Sequence, residues 1–385
     1  MSWKQEFRRF VSAEPKRLHF AAHSHHYWPD VSFEAHMQAW LDASGRVDDK
    51  WKHVLGEVLP TAQAHVARVL GLTSGSSIAF APNTHELLGR LFSCFETGRP
   101  VSILTTDGEF LSFTRQAQRW EEAGLATWTR IPVEPFETFA RRFLDAAAQP
   151  VDLVFVSQVF FRSGFVFEAF ERLADIVPRR ETFVVIDGYH GFMARPTSLA
   201  AVEDRVFYLA GGYKYAMAGE GTCFMHCPAG YGSRPVDTGW FAGFGELARL
   251  HAGDVGYPVD GMRFFGSTFD PSGLYRFNAV LGRWQDLGVS VADFHDHVVR
   301  LQQQFLSSVA AHEAGPLRID ELVPAGTVSE RGNFLTFRRR DVAALHLALR
   351  AKGVMTDHRG DRIRFGFAPY HDSDDIVELA RRLAS

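Results

Sequence analysis

The stretch LAGGYKYAMAGEGTCFM, residues 209–225, decides how this chain is read. A run of small and apolar residues leads to Lys214, which stands between two tyrosines, and a glycine-rich turn and a second apolar run follow. The pattern predicts a buried strand that ends just before the lysine and a second strand that returns antiparallel to it. An ammonium at the end of a buried strand is costly unless it is paired or neutral. A neutral lysine is a nucleophile, and it is the form that condenses with a carbonyl.

Upstream of this stretch the chain alternates between two patterns. SIAF (77–80), VSILTT (101–106), DLVFVS (152–157), TFVVID (182–187) and RVFYLA (205–210) are short runs rich in β-branched and aromatic residues, without clean alternation. Such runs are expected of strands buried on both faces of a parallel sheet. Amphipathic helices are predicted between them over 85–97, 111–123, 134–148 and 168–178. This order implies an α/β sandwich with right-handed crossovers. Further helices are predicted over 31–53, 274–287 and 291–314. The tail from residue 332 reads strand, helix, short strand, strand, helix. We therefore expect a large α/β domain over 50–270, and a smaller α+β domain formed by 1–49 together with 271–385.

With 46% hydrophobic and 22% charged residues in 385, the chain has the composition of a soluble globular protein. A net charge of −4 gives no basic footprint for nucleic acid. No apolar stretch is long enough to span a bilayer, and MSWKQEFRRF lacks the apolar core of a signal peptide. A reduced, cytoplasmic protein is expected. Cys223, His226 and Cys227 resemble half of a zinc site, but no second half follows at finger-like spacing, so no metal is expected.

Three predicted strand ends carry chemistry, where open α/β sheets bind their ligands. In APNTHELL, Asn83 or Thr84 can cap a helix whose free N–H groups suit a phosphate. In VVIDGYHGF, Asp187 follows a buried run and must meet a cation or a donor, with His190 three residues on. A pyridinium nitrogen is a suitable partner for that carboxylate. The next strand delivers Lys214. Lysine for an aldehyde, acid for a ring nitrogen and helix start for a phosphate together are what pyridoxal phosphate requires. Phe110, in TTDGEFLSF, is placed to cover its ring.

The order and wording of these segments resemble the fold-type I pyridoxal phosphate enzymes of the class V aminotransferase group, and within it kynureninase. The resemblance is carried by DGYH (187–190), YKY (213–215), SQVFFRSG (157–164), TGWFAGF (238–244), RFFGSTFDP (263–271) and DRIRFGFAPYHDSDDI (361–376), with a weaker echo in LHFAAHSHHYWP (18–29). It implies a mostly parallel, seven-stranded-type sheet in the large domain. It also implies that Lys214 bonds the cofactor while Asp187 pairs with the ring nitrogen, with His190 nearby and Phe110 stacked on the ring. Asn83, Thr84, Tyr213 and Trp240 would surround the phosphate. Thr268 would reach the neighbouring subunit's cofactor in a homodimer with shared active sites. Arg364 would hold the substrate carboxylate, and His23, His25 and Tyr27 would line the substrate pocket. Arg362 shares the strand face of Arg364 and is its rival. Phe113, Phe160 and Ser267 depart from the kynureninase pattern.

The activity implied is hydrolytic Cβ–Cγ cleavage of a kynurenine-type amino acid to alanine and an aromatic acid. The alternative is a class V aminotransferase or a β-eliminating lyase acting on another amino acid. Cysteine desulfuration needs a nucleophilic cysteine, and VPAGTVSERGNF (323–334), where relatives carry it, has none. A protein that kept the fold and lost the chemistry is disfavoured by the presence of both Asp187 and Lys214.

Overall fold

The computed structural model describes residues 3–95, 98–244, 255–326 and 331–385. Parts of two expectations, residues 96–97 of the 85–97 helix and 327–330 of the 323–334 segment, lie outside the described residues. At the centre is a seven-stranded sheet ordered Ile78–Ala81, Cys223–His226, Val206–Gly211, Phe183–Asp187, Leu153–Ser157, Val101–Thr106, Ala126–Ile131. Cys223–His226 runs antiparallel to both neighbours, and every other pairing is parallel. The predicted return after the glycine-rich turn is therefore present. So are the five strands read from apolar runs, each within a residue or two of its expected bounds.

The edge strand Ala126–Ile131 escaped the reading. Only Ala126 is fully buried in it, and Thr127, Thr129 and Arg130 face solvent, so it lacks the apolar run of its neighbours. The helix expected over 31–53 is also broken. It ends at Arg46, the backbone turns at Val47 (φ 50°), and short helical segments lead into the helix Leu59–Leu70.

Helices Thr84–Phe92, Leu111–Glu122, Phe136–Ala147 and Phe170–Ile176 each bury one apolar side against the sheet and leave the other wet, as crossover helices must. Helix Ser272–Asp286, expected in the small domain, sends Leu274, Phe277, Val280, Leu281 and Trp284 into this first apolar cluster. A second cluster, including Phe20, Val298, Phe305, Leu335, Phe337, Ile363, Phe365 and Leu379, lies beneath the antiparallel sheet Asp357–Arg359, Arg362–Gly366, Phe334–Arg338. Both ends of the chain meet here. Leu18–His19 pairs in parallel with Val354–Met355, and Ala21 bridges Gly366.

Candidate functional site

Parallel register sets the carboxyl ends of the central strands side by side, with Ser157 opposite Asp187 and Asp187 opposite Leu209. The loops leaving those ends surround a cavity of about 400 Å³. Its wall includes Asn83, Thr84, Phe110, Asp187, His190, Tyr213 and Lys214, all singled out from the sequence, and Phe113, one of the departures. Gly188 permits the close turn after Asp187, since a Cβ there would fall 1.9 Å from the ring of Tyr208.

Lys214 is 5% exposed. The turn that carries it is closed by Met217 N–H to the Lys214 carbonyl (2.9 Å) and by Gly212 N–H to the Thr222 carbonyl (2.8 Å). Its Nζ is hydrogen-bonded to His190 Nε2 and sits 4.6 Å from the ring centre of Tyr189 and 5.3 Å from that of Phe110. Burial pushes the ammonium down to about 7, and the Asp187 carboxylate opposes that fall. Asp187 accepts the Tyr189 backbone N–H (2.9 Å), and burial raises its acid. His190 is held neutral by burial and by the nearby Lys214, and its buried Nδ1 has no hydrogen-bond partner among the described residues.

Asn83 caps the helix Thr84–Phe92, its Oδ1 accepting the Glu86 N–H at 2.9 Å, so the positive end of that helix faces the cavity. Phe110 meets Phe161 edge-on at 5.3 Å, and Phe113 stacks on Phe155 at 3.7 Å. Phe160 turns away from the cavity and packs against Phe139, whereas Phe161 lines it.

Other expected residues lie elsewhere. Tyr27 does not line the cavity. Its ring packs against those of His19 and Tyr370, each at 4.5 Å, and its hydroxyl accepts from Arg17 Nε at 2.6 Å, so packing consumes it. His25 is exposed and stacks on Tyr213. Trp240 and Thr268 are hydrogen-bonded to each other at 3.2 Å, with Trp240 42% exposed, and neither lines the cavity. Arg362 is committed to Glu134, which also binds Arg338 at 2.8 Å. Arg364 is 3% exposed and lies behind Phe161, its guanidinium carbon 5.9 Å from that ring centre. It forms a two-pronged ion pair with Asp357, which also accepts from His23 Nε2 at 2.8 Å.

Two acids here went unread in the sequence. Asp357 is one. The other is Glu109, buried between strand ends, whose carboxyl meets Thr106 Oγ1 (2.7 Å) and Ser157 Oγ (2.6 Å). Burial pushes its acid up to about 8, with Asp187 adding to the rise. Among the described residues, no cluster of His, Cys, Asp and Glu is arranged to hold a metal ion, and no helix is long and apolar enough to cross a membrane.

Residues 295–383, which include Arg364, match the family model of the kynureninase C-terminal domain. No curated protein matches the chain significantly. Among solved structures, a complex of the cystine C–S lyase C-DES with cysteine persulfide is similar at a TM-score of 0.81 and 16% identity, covering 96% of this chain and 97% of that one. A C-DES lysine variant with glycine covalently linked to its PLP cofactor is similar at 0.81 and 15% identity, covering 100% and 99%. The cysteine desulfurase of Thermococcus onnurineus NA1 gives 0.77 and 14% identity, covering 99% and 97%. The fold is that of the fold-type I enzymes. The family match is confined to residues 295–383, and the likeness to these solved structures, all at 14–16% identity, is one of fold.

Proposed function

We propose that the protein is a pyridoxal phosphate-dependent enzyme that acts on an amino acid, hydrolysing the Cβ–Cγ bond of a kynurenine-type substrate to alanine and an aromatic acid. One observation carries the reading. A buried lysine poised to be neutral near pH 7, a half-buried aspartate and the start of a capped helix open on one cavity. That donor set fits the aldehyde, ring nitrogen and phosphate of the cofactor.

When bound, pyridoxal phosphate holds the substrate's amino group and draws electrons from the bond that breaks. The chain's own residues do the rest. Asp187 keeps the ring nitrogen protonated. Lys214 would take the substrate's α-proton at Nζ, and a lysine near neutrality is matched to that task. His190 orients Nζ through its hydrogen bond. Phe110, Phe113, Phe155 and Phe161 make an apolar wall suited to an aryl side chain, and the one water that hydrolysis consumes must reach the substrate's γ-carbonyl past it. Arg364 holds the substrate carboxylate, and its neighbourhood to Lys214 supports that choice over Arg362.

Desulfuration is disfavoured on physical grounds. Burial raises the thiols of Cys94 and Cys227 to about 12 and that of Cys223 to about 11, so none offers a thiolate. Three free cysteines also suit a reducing, cytoplasmic setting. Transamination or β-elimination on another amino acid would use the same residues and differ in product. The test is borohydride reduction and peptide mapping of one portion of the cofactor-loaded protein, and assay of kynurenine-type substrates on an unreduced portion. A stable adduct on Lys214 and release of alanine with an aromatic acid are expected. Pyruvate or an oxo acid in their place selects the alternative, and a protein that takes up no cofactor overturns the reading.

A further inference from the structure

The surroundings of Arg364 are more specific than a carboxylate grip alone requires. A guanidinium has five N–H donors. The Nε–H and one Nη2–H go to the two oxygens of Asp357, and one Nη1–H goes to the Phe161 carbonyl. Among the described residues two donors remain, one on each terminal nitrogen, enough for a second carboxylate. Asp357 is in turn fixed. It stands opposite Arg364 in the hairpin register, and its Oδ1 accepts from His23 Nε2 at 2.8 Å.

His23 has one tautomer available for this. Its Nδ1 has no hydrogen-bond partner among the described residues and lies against Gly366, where a Cβ would come within 2.3 Å of it. The ring is fully buried and stacks on Phe334 at 4.8 Å. Burial pushes its cation down to about 4, so His23 stays neutral with its proton on Nε2.

We propose that Asp357 and His23 are positioning residues which lock Arg364, so that only its two outward N–H groups are left for the carboxylate of the substrate. His23, expected on the wall of the substrate pocket, acts from behind the arginine. The inference rests on the reading of Arg364 as the carboxylate grip. A guanidinium free to swing would bind the same anion in several poses, and one fixed pose is what aligns the α-hydrogen for removal.

The test is equilibrium binding of alanine and of ethylamine, which differ by the carboxylate, to the cofactor-loaded protein by calorimetry. The parent is expected to prefer alanine at least tenfold, and Arg364→Gln to erase that preference with cofactor binding intact. If Arg364→Gln keeps the preference, the carboxylate reading falls and the proposal with it. Asp357→Asn and His23→Leu are expected to cut alanine affinity by about tenfold to a hundredfold, the scale of a lost charge-assisted hydrogen bond, and to leave ethylamine unchanged. His23→Gln, which restores an N–H donor in place of Nε2, is expected to recover most of the loss. If Arg364→Gln fails to discriminate while Asp357→Asn and His23→Leu bind as the parent does, the carboxylate reading stands and the positioning role is wrong. Should Asp357→Asn not fold, the contrast between His23→Leu and His23→Gln decides, and equal affinities for the two refute the proposal.

Discussion

Replacing Lys214 by methionine, which keeps the length of the side chain and removes its charge, should stabilise the protein freed of carbonyl ligands by hydroxylamine. The reasoning is linkage. In the unfolded chain the lysine titrates near 10.5, and in the folded chain it titrates near 7. Between those values the unfolded chain holds a proton that the folded one lacks, so parental stability rises with pH across that window. At 1.36 kcal/mol per pH unit, burial of this amine disfavours the folded state by about 4 kcal/mol at pH 7. Methionine removes that cost but leaves His190 Nε2 without its partner, worth about 1 kcal/mol. The net gain is about 3 kcal/mol. An unfolding entropy of about 2.1 cal/mol/K per residue gives about 0.8 kcal/mol/K for a chain of this length, so the midpoint should rise by about 4 °C at pH 7. By pH 10 the two proteins should unfold within about 1 °C of each other. Differential scanning calorimetry at the two pH values measures both. A variant destabilised equally at pH 7 and pH 10 would show that Lys214 is charged and paired, and the argument for its nucleophilicity would fail.

Glu109→Gln tests the second buried acid. Because its acid is pushed up to about 8, the parent loses stability as pH rises from about 4.5 to 8, and the variant should gain about 3 °C over the parent at pH 8 but not at pH 5. A lower midpoint than the parent's at pH 8 counts against a protonated Glu109. Gly188→Ala drives a methyl into Tyr208 and should lower the midpoint by about 2–4 °C at any pH; an unchanged midpoint contradicts the packing described. The protein should scatter light as twice 43.2 kDa, because Trp240 and Thr268 do not line their own cavity, and a fully active monomer excludes the shared-site proposal.

The central strands were legible because both of their faces are buried, which leaves an unbroken apolar run. Ala126–Ile131 was not, because an edge strand with wet threonines looks like a loop. Lys214, Asp187 and Asn83 could be found because each is a polar residue at the end of an apolar run. Glu109 has no such mark, since its burial comes from Thr106 and Ser157 on two different strands. Asp357 could have been found. In DHRGDRIR the tight turn at Gly360 (φ 57°) and Asp361 pairs Arg359 with Arg362, which puts Asp357 opposite Arg364. Tyr27 misled because it sits beside histidines that do face the site's surroundings, and one step along an irregular segment turned it into the core.

The pairing of the chain's early and late segments also bears on synthesis. His23 and Asp357 are 334 residues apart, and the short parallel pair that aligns them needs Val354–Met355. At about 5–20 residues per second, a ribosome makes His23 roughly 15–70 s before its partner. All seven strands of the central sheet emerge in that interval, with the wall behind Arg364 still missing. Every residue that lines the lysine cavity is therefore made before Arg364 and the acid that pairs with it, whereas both apolar clusters still await residues from the last strand onward.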